Sequence, residues 1–135
     1  MSSIVRAISP EVPELPPGRT SNCLVVSGIA YTAGINARIH DQNNAEGDEY
    51  AQARASFVKI RHLMEAAGGS MADVVKITIF VTDISQREKV WQARREFFTG
   101  DFPAATLIQV AAVGRDPSIK VEIEAVAHIG GASIR

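Results

Sequence analysis

Between Asp48 and Thr82 the apolar residues change period once, and that change decides most of what this chain can fold into. Tyr50, Ala53, Phe57, Ile60, Met64 and Ala67 recur at alternating steps of three and four, the spacing that lays one apolar stripe along a helix. Arg54, Lys59, Arg61 and Glu65 fall off that stripe. Asp48 starts the helix, and Gly68-Gly69 ends it, because glycine tolerates the left-handed backbone that closes a helix. Directly afterwards Val74 to Thr82 (VVKITIFVT) is dense in β-branched residues, with Val75, Ile77, Ile79 and Val81 on one face of a strand.

The remaining segments repeat this alternation of helix and strand. Ile4 to Ile8 suits a short edge strand, and Pro10, Pro13, Pro16, Pro17 and Gly18 impose an extended surface segment after it. Cys23 to Val26 and Ile29 to Thr32 form a hairpin about Ser27-Gly28, and Gly34 closes the second run. Arg38 to Gly47 is a polar loop. Ser85 to Glu88 fits a capping box with Ser85 as N-cap, opening a helix whose core side holds Val90, Ala93 and Phe97, with Trp91 and Phe98 beside them. Gly100 to Pro103 breaks that helix, and strands follow over Ala104 to Val113 and Ile119 to Ile129, with a turn at Asp116-Pro117. The last strand alternates, Val121, Ile123, Ala125 and Ala127 against Glu122, Glu124, Val126 and His128, and the tail from Gly130 to Arg135 is expected to fray.

The order β-β-β-α-β-α-β-β implies an α+β layer with a mostly antiparallel sheet and both helices on one face. At 135 residues the chain has room for one core and is read as one domain, 1–135. The uncovered sheet face still carries Phe80 and Val126, which favours an oligomer that buries it.

Fourteen basic against fifteen acidic residues give a net charge of −1, which lacks the electrostatic footprint of a nucleic-acid binder. With Cys23 as the only cysteine no intrachain disulfide can form, and the residue reads as a small buried hydrophobe. His40, His62 and His128 lie far apart, without metal-ligand spacing, and no His/Lys/Arg constellation for RNA cleavage is visible. The start of the chain shows no signal-peptide pattern, and no apolar run reaches the roughly 20 residues that span a bilayer. A cytoplasmic protein without membrane or nucleic-acid partners is the expectation.

Several segments, taken in order, resemble the Rid (YjgF) superfamily. AYTAG (Ala30 to Gly34), AQARASFVKIRHLMEAAG (Ala51 to Gly68), DVVKITIFVTDI (Asp73 to Ile84), EFF followed by FPA (Glu96 to Phe98, Phe102 to Ala104) and KVEIEAVA (Lys120 to Ala127) carry the likeness, which runs from about residue 20 to 128. The resemblance implies a chorismate-mutase-like α+β fold and a homotrimer with a barrel-like core and three clefts between subunits. In active members those clefts bind small carboxylates and hydrolyse 2-imino and 2-enamino acids to 2-keto acids and ammonia, without metal or organic cofactor. Other members are linked to RNA cleavage and translation inhibition, and some only bind ligands.

Carried onto this chain, the resemblance also implies losses. The family's carboxylate-binding arginine falls at Ala105, its strand-end serine at Ala33, its helix asparagine at Trp91, its pocket cysteine at Leu107 and its N-terminal tyrosine at Thr20. A bidentate guanidinium–carboxylate pair cannot be replaced by a methyl group, and its loss costs several kcal/mol at about 1.5–3 per charged hydrogen bond. Gly34 and the acid Glu122 remain, with Glu124 on the same face. The expected site is therefore Glu122 as catalytic acid or base, with Gly34, Ala33, Trp91, Ala105, Leu107, Thr20, Arg94 and Glu124 around the ligand.

Arg94 and Arg19 are the candidates to replace the lost cation, against the plainer reading of both as solvated surface arginines. Glu122 is equally readable as an interface residue, Trp91 as core and His128 as a partly buried structural histidine, while His40-Asp41 is a loop pair without assigned role. An enamine or imine hydrolase with an altered substrate, a non-catalytic ligand-binding trimer and a ribonuclease are the three functional readings.

Overall fold

The computed structural model describes residues 3–134. Strands β1 (Val5–Arg6), β2 (Cys23–Val26), β3 (Ile29–Thr32), β4 (Ile35–Asn36), β5 (Val74–Val81), β6 (Ala104–Gln109) and β7 (Val121–His128) join in one sheet. Its order is β1-β2-β3-β7-β5-β6, with β4 pairing β7 beyond the end of β3. Every pairing is antiparallel except β5 with β6, so the α+β sheet is mixed.

Helix α1 (Glu49–Ala66) buries Gln52, Ala53, Phe57, Ile60, Leu63 and Met64. The Asp48 carboxylate caps its start by accepting from the Ala51 N–H at 3.0 Å. Gly68, at φ 90°, turns the chain out of it. Helix α2 (Arg87–Arg94) packs beside α1, where the Phe57 ring lies 5.3 Å from Phe97 and 5.6 Å from Phe98. Both helices belong to the layer that buries Ile77, Ile79, Val81, Ile123 and Ala125. No described helix is long and apolar enough to cross a membrane.

Four sequence expectations need correction. A β-bulge between Val74 and Lys76 moves Val75 off the Ile77–Ile79–Val81 face and leaves it 49% exposed. Ser85 does not cap α2: the Asp83 carboxylate accepts from the Ser85 N–H and hydroxyl, so a short 3-10 turn, Ile84–Gln86, precedes the helix. An ionised acceptor two residues upstream outcompetes a neutral hydroxyl there. The strand expected to reach Val113 ends at Gln109. The tail does not fray over its described part, since Gly131–Ile134 forms a 3-10 turn whose Ala132 N–H bonds to Asp73 Oδ1 at 3.0 Å. Arg135, and the Met1-Ser2 start of the signal-peptide reading, lie outside the described residues.

The sheet face opposite the helices is open. Register places Leu24, Tyr31, Val126, Phe80 and Ile108 on it together, and Leu24, Tyr31 and Ile108 are exposed.

Candidate functional site

The site begins where the β2–β3 hairpin runs out. Thr32 Oγ1 accepts the N–H of Ala125 and the Ala33 N–H turns to Asn22 O, so the chain leaves β7 for two residues. It returns as β4, with Ile35 opposite Ile123 and Asn36 opposite Glu122. Gly34 sits in the gap, and a Cβ there would lie 2.5 Å from Glu122 Oε2. Glycine is therefore what lets the carboxyl group lie against the backbone at this point.

Glu122 is half-buried and held by one residue of β4: Asn36 Nδ2 donates to Glu122 Oε1 at 2.9 Å. The amide orientation is fixed because Asn36 Oδ1 accepts the Arg38 N–H at 2.9 Å. When Glu122 is protonated, its proton thus belongs on Oε2, the oxygen facing Gly34. Burial pushes the Glu122 pKa up, the Asn36 hydrogen bond opposes that, and the charge of Glu124 adds to it. A carboxyl group so placed both donates and accepts protons more readily near neutrality than a solvated glutamate.

The same short strand holds a cation. Lys59, from α1, donates to the carbonyl oxygens of Asn36 and Arg38 at 2.7 and 2.9 Å. Burial, then the neighbouring Arg38 charge, brings its pKa down to about 8. Glu122, Asn36, Lys59, Arg38, Arg115 and Gly34 line one cavity of about 420 Å³, a size suited to a small molecule. Arg19 and His40 reach its rim. Loop and helix residues of basic type, far apart in sequence, thus meet around this cavity.

The other expected residues go elsewhere. Trp91, Arg94 and Ala105 line a second crevice with Arg95, Gly100 and Asp101. Trp91 also packs on the core, as does Leu107, which lines neither cavity. Arg94 is partly exposed: its guanidinium donates to the Phe102 carbonyl and lies 5.9 Å from the Phe98 ring centroid. Thr20 is exposed and bonds the Ser21 carbonyl, Glu124 is exposed on the open face, and His128 is exposed rather than partly buried. Cys23 is fully buried, and burial, with Glu14 adding, raises its thiol pKa to about 11. His40 Nε2 lies 3.2 Å from Asp41 Oδ1.

Glu122 opposes Phe80 and Ala105 opposes Ile77 on β5, an odd step apart, so their side chains leave opposite faces of the sheet. Sequence reasoning missed Asn36, Arg38, Arg115 and Lys59. Lys59 showed only as a residue off the helix stripe, and a two-residue strand has no period to detect.

The comparisons agree with this architecture. The endoribonuclease L-PSP family profile matches residues 14–129. A protein of unknown function from Pseudomonas aeruginosa superposes with a TM-score of 0.86 at 33% identity, over 96% of this chain and 95% of that one. A Rid-family protein from Yersinia pestis gives 0.84 at 27%, over 94% and 100%. The YjgF gene product of E. coli gives 0.79 at 29%, over 92% and 98%.

Proposed function

Because the chain belongs to the endoribonuclease L-PSP family, also called YjgF/UK114 or Rid, we propose that it assembles as a homotrimer whose inter-subunit clefts take a small metabolite, with Glu122 as the acid–base group of a hydrolytic deamination. The observation that carries this reading is the Glu122 carboxyl group, bonded by Asn36 through one oxygen and free to act through the other inside the cavity. The opposite-face arrangement supports the trimer: a cleft that uses both Glu122 and the Ala105 crevice must draw them from two chains. The apolar open face supplies the surface to bury.

In the proposed reaction an enamine takes a solvent proton on carbon and becomes an iminium ion. Ionised Glu122 takes a proton from water as the oxygen attacks the iminium carbon, giving a neutral carbinolamine. Glu122 returns that proton to the nitrogen, then accepts the carbinol hydroxyl proton as the C–N bond breaks and the carbonyl forms, and passes it to the departing ammonia; one water is consumed, ammonium leaves and Glu122 is restored. Simple 2-imino monocarboxylates are expected to be poor substrates, because Ala105 offers no cation at the position where the family carries its carboxylate-binding arginine.

Light scattering should give three times the 14.5 kDa chain mass, and a monomer would end the trimer reading. With 2-aminoacrylate generated in situ, keto-acid release should match buffer. In an ammonia-release screen of other enamines and imines, Glu122→Gln should abolish any turnover found, and full activity in that variant would remove Glu122 from the chemistry. A ligand that raises the melting temperature without ever being turned over would select the non-catalytic reading, which the short Ala105 side chain favours. The ribonuclease reading has less support, since the cations line a concavity of small-molecule size rather than an open stripe that could follow a polynucleotide backbone.

A further inference from the structure

We propose that the anchor for a ligand's anionic group has moved to the Glu122 side of the cleft, where Arg38, Arg115 and Lys59 receive a compact dianion, either a phosphate monoester or a dicarboxylate. The inference rests on the Glu122 cavity being the ligand site, and it is independent of whether any chemistry follows binding.

Charge balance gives the ligand class. Arg19, Arg38, Arg115 and Lys59 line the cavity together with the carboxylates of Glu11 and Glu122, and His40 adds a titratable imidazole. Four cations against two acids leave a surplus of two positive charges. Among the described residues no carboxylate forms an ion pair with any of these four cations. Lys59 donates to two backbone carbonyls and has a third N–H for a ligand, and at about 8 its pKa keeps it largely protonated at neutral pH.

Arg38 and Lys59 are partly buried, with the exposed Arg115 and Arg19 beside them, and clustered like charges without counter-charge repel one another unless an anion completes the set. A single carboxylate would neutralise only half of the surplus, so the complement is a doubly charged group. The second crevice is the weaker candidate, because the charge of its Arg94 and Arg95 is offset in part by Asp101 and Arg94 donates to the Phe102 carbonyl.

Calorimetric titration of the full-length wild-type protein with malonate, methyl phosphate and acetate, in low salt, tests this. At least one dianion should bind about tenfold or more tightly than acetate, and the preferred dianion distinguishes a dicarboxylate from a phosphate site. Arg38→Ala and Arg115→Ala should each weaken that dianion about tenfold, whereas Arg87→Ala, at an arginine outside both crevices, should leave it unchanged. Arg115→Ala keeps the test valid if Arg38→Ala proves unstable. Equal affinity for the three probes, no binding by any of them, wild-type affinity in both cavity variants or an equal loss in Arg87→Ala would each overturn the proposal. Dianion binding that persists in Glu122→Gln without any turnover would leave this anchor standing while the deamination reading fails.

Discussion

The two crevices of this molecule are built by opposite means. Around Glu122 the polar groups are tied to Asn36 of a short strand and to the Arg38 carbonyl just beyond it, and their working ends, Glu122 Oε2 and the third Lys59 proton, remain available. Around Ala105 the Arg94 guanidinium turns to the Phe102 carbonyl, and the rest of the rim is Trp91, a methyl group and the oppositely charged Arg95 and Asp101, with no half-buried acid among them. The same sheet thus presents one side equipped for chemistry and another that offers mostly shape. A site can lose a binding group on one side and keep its acid–base group because different elements hold them.

Substitutions can break or sharpen this contrast. The largest effect should come from Phe57→Ala, which removes the ring that α1 packs against Phe97 and Phe98 behind the second crevice. A fully buried phenylalanine truncated to alanine costs about 3–5 kcal/mol, read from the midpoint and slope of urea unfolding. A loss below about 1 kcal/mol would mean that the core reorganises around the gap.

Gly34→Ala separates the crevices directly. Its Cβ would press on Glu122 Oε2, so the expected cost is about 1–3 kcal/mol together with loss of ligand binding or turnover. Ala105→Gly should leave ligand binding as it is. Equal effects of the two substitutions would erase the contrast.

Asp73→Ala serves as the distant control. It removes acceptors for the Ser70 and Ala132 N–H groups at the tail, and about 1–2 kcal/mol of stability should go without change at either crevice.

The smallest effect is a pH dependence. The folded pKa of Glu122 lies above its unfolded value, so its ionised form is penalised in the fold. No penalty exists below the unfolded value. It grows as pH rises from there through the folded pKa and stays constant above that. Glu122→Gln should therefore match the wild type in acid and be slightly more stable at neutral pH, as thermal melts across pH 3.5–7.5 would show (a range set by the usual glutamate titration near 4.3). A stability difference that shrinks toward neutrality would reverse the assigned direction.

The covered side of the sheet was readable in the sequence because long periodic segments build it. Phe57, Ile60 and Met64 announced their helix face, and Val121, Ile123, Ala125 and Ala127 announced their strand face; all are buried. Val75 misled because a bulge interrupts the alternation locally, and Ser85 misled because Asp83 lies near enough to take over its capping bonds. Glu122 and Gly34 were found through resemblance, and the structure adds why they occur together. Arg38, Lys59 and Arg115 were invisible as a group, since their meeting depends on a helix, a loop and a two-residue strand closing around one space. Periodicity reports which face is buried and says nothing of which polar tips converge.

Asn36 serves three neighbours at once: its carbonyl takes Lys59, its amide nitrogen takes Glu122, and its amide oxygen takes the Arg38 N–H. The acid–base group and the lysine cation are therefore hinged on a single residue, one through its side chain and the other through its backbone. Any redesign for a longer or shorter ligand has to move the whole hinge, and a drift at this position would detune both ends together rather than trade one specificity for another.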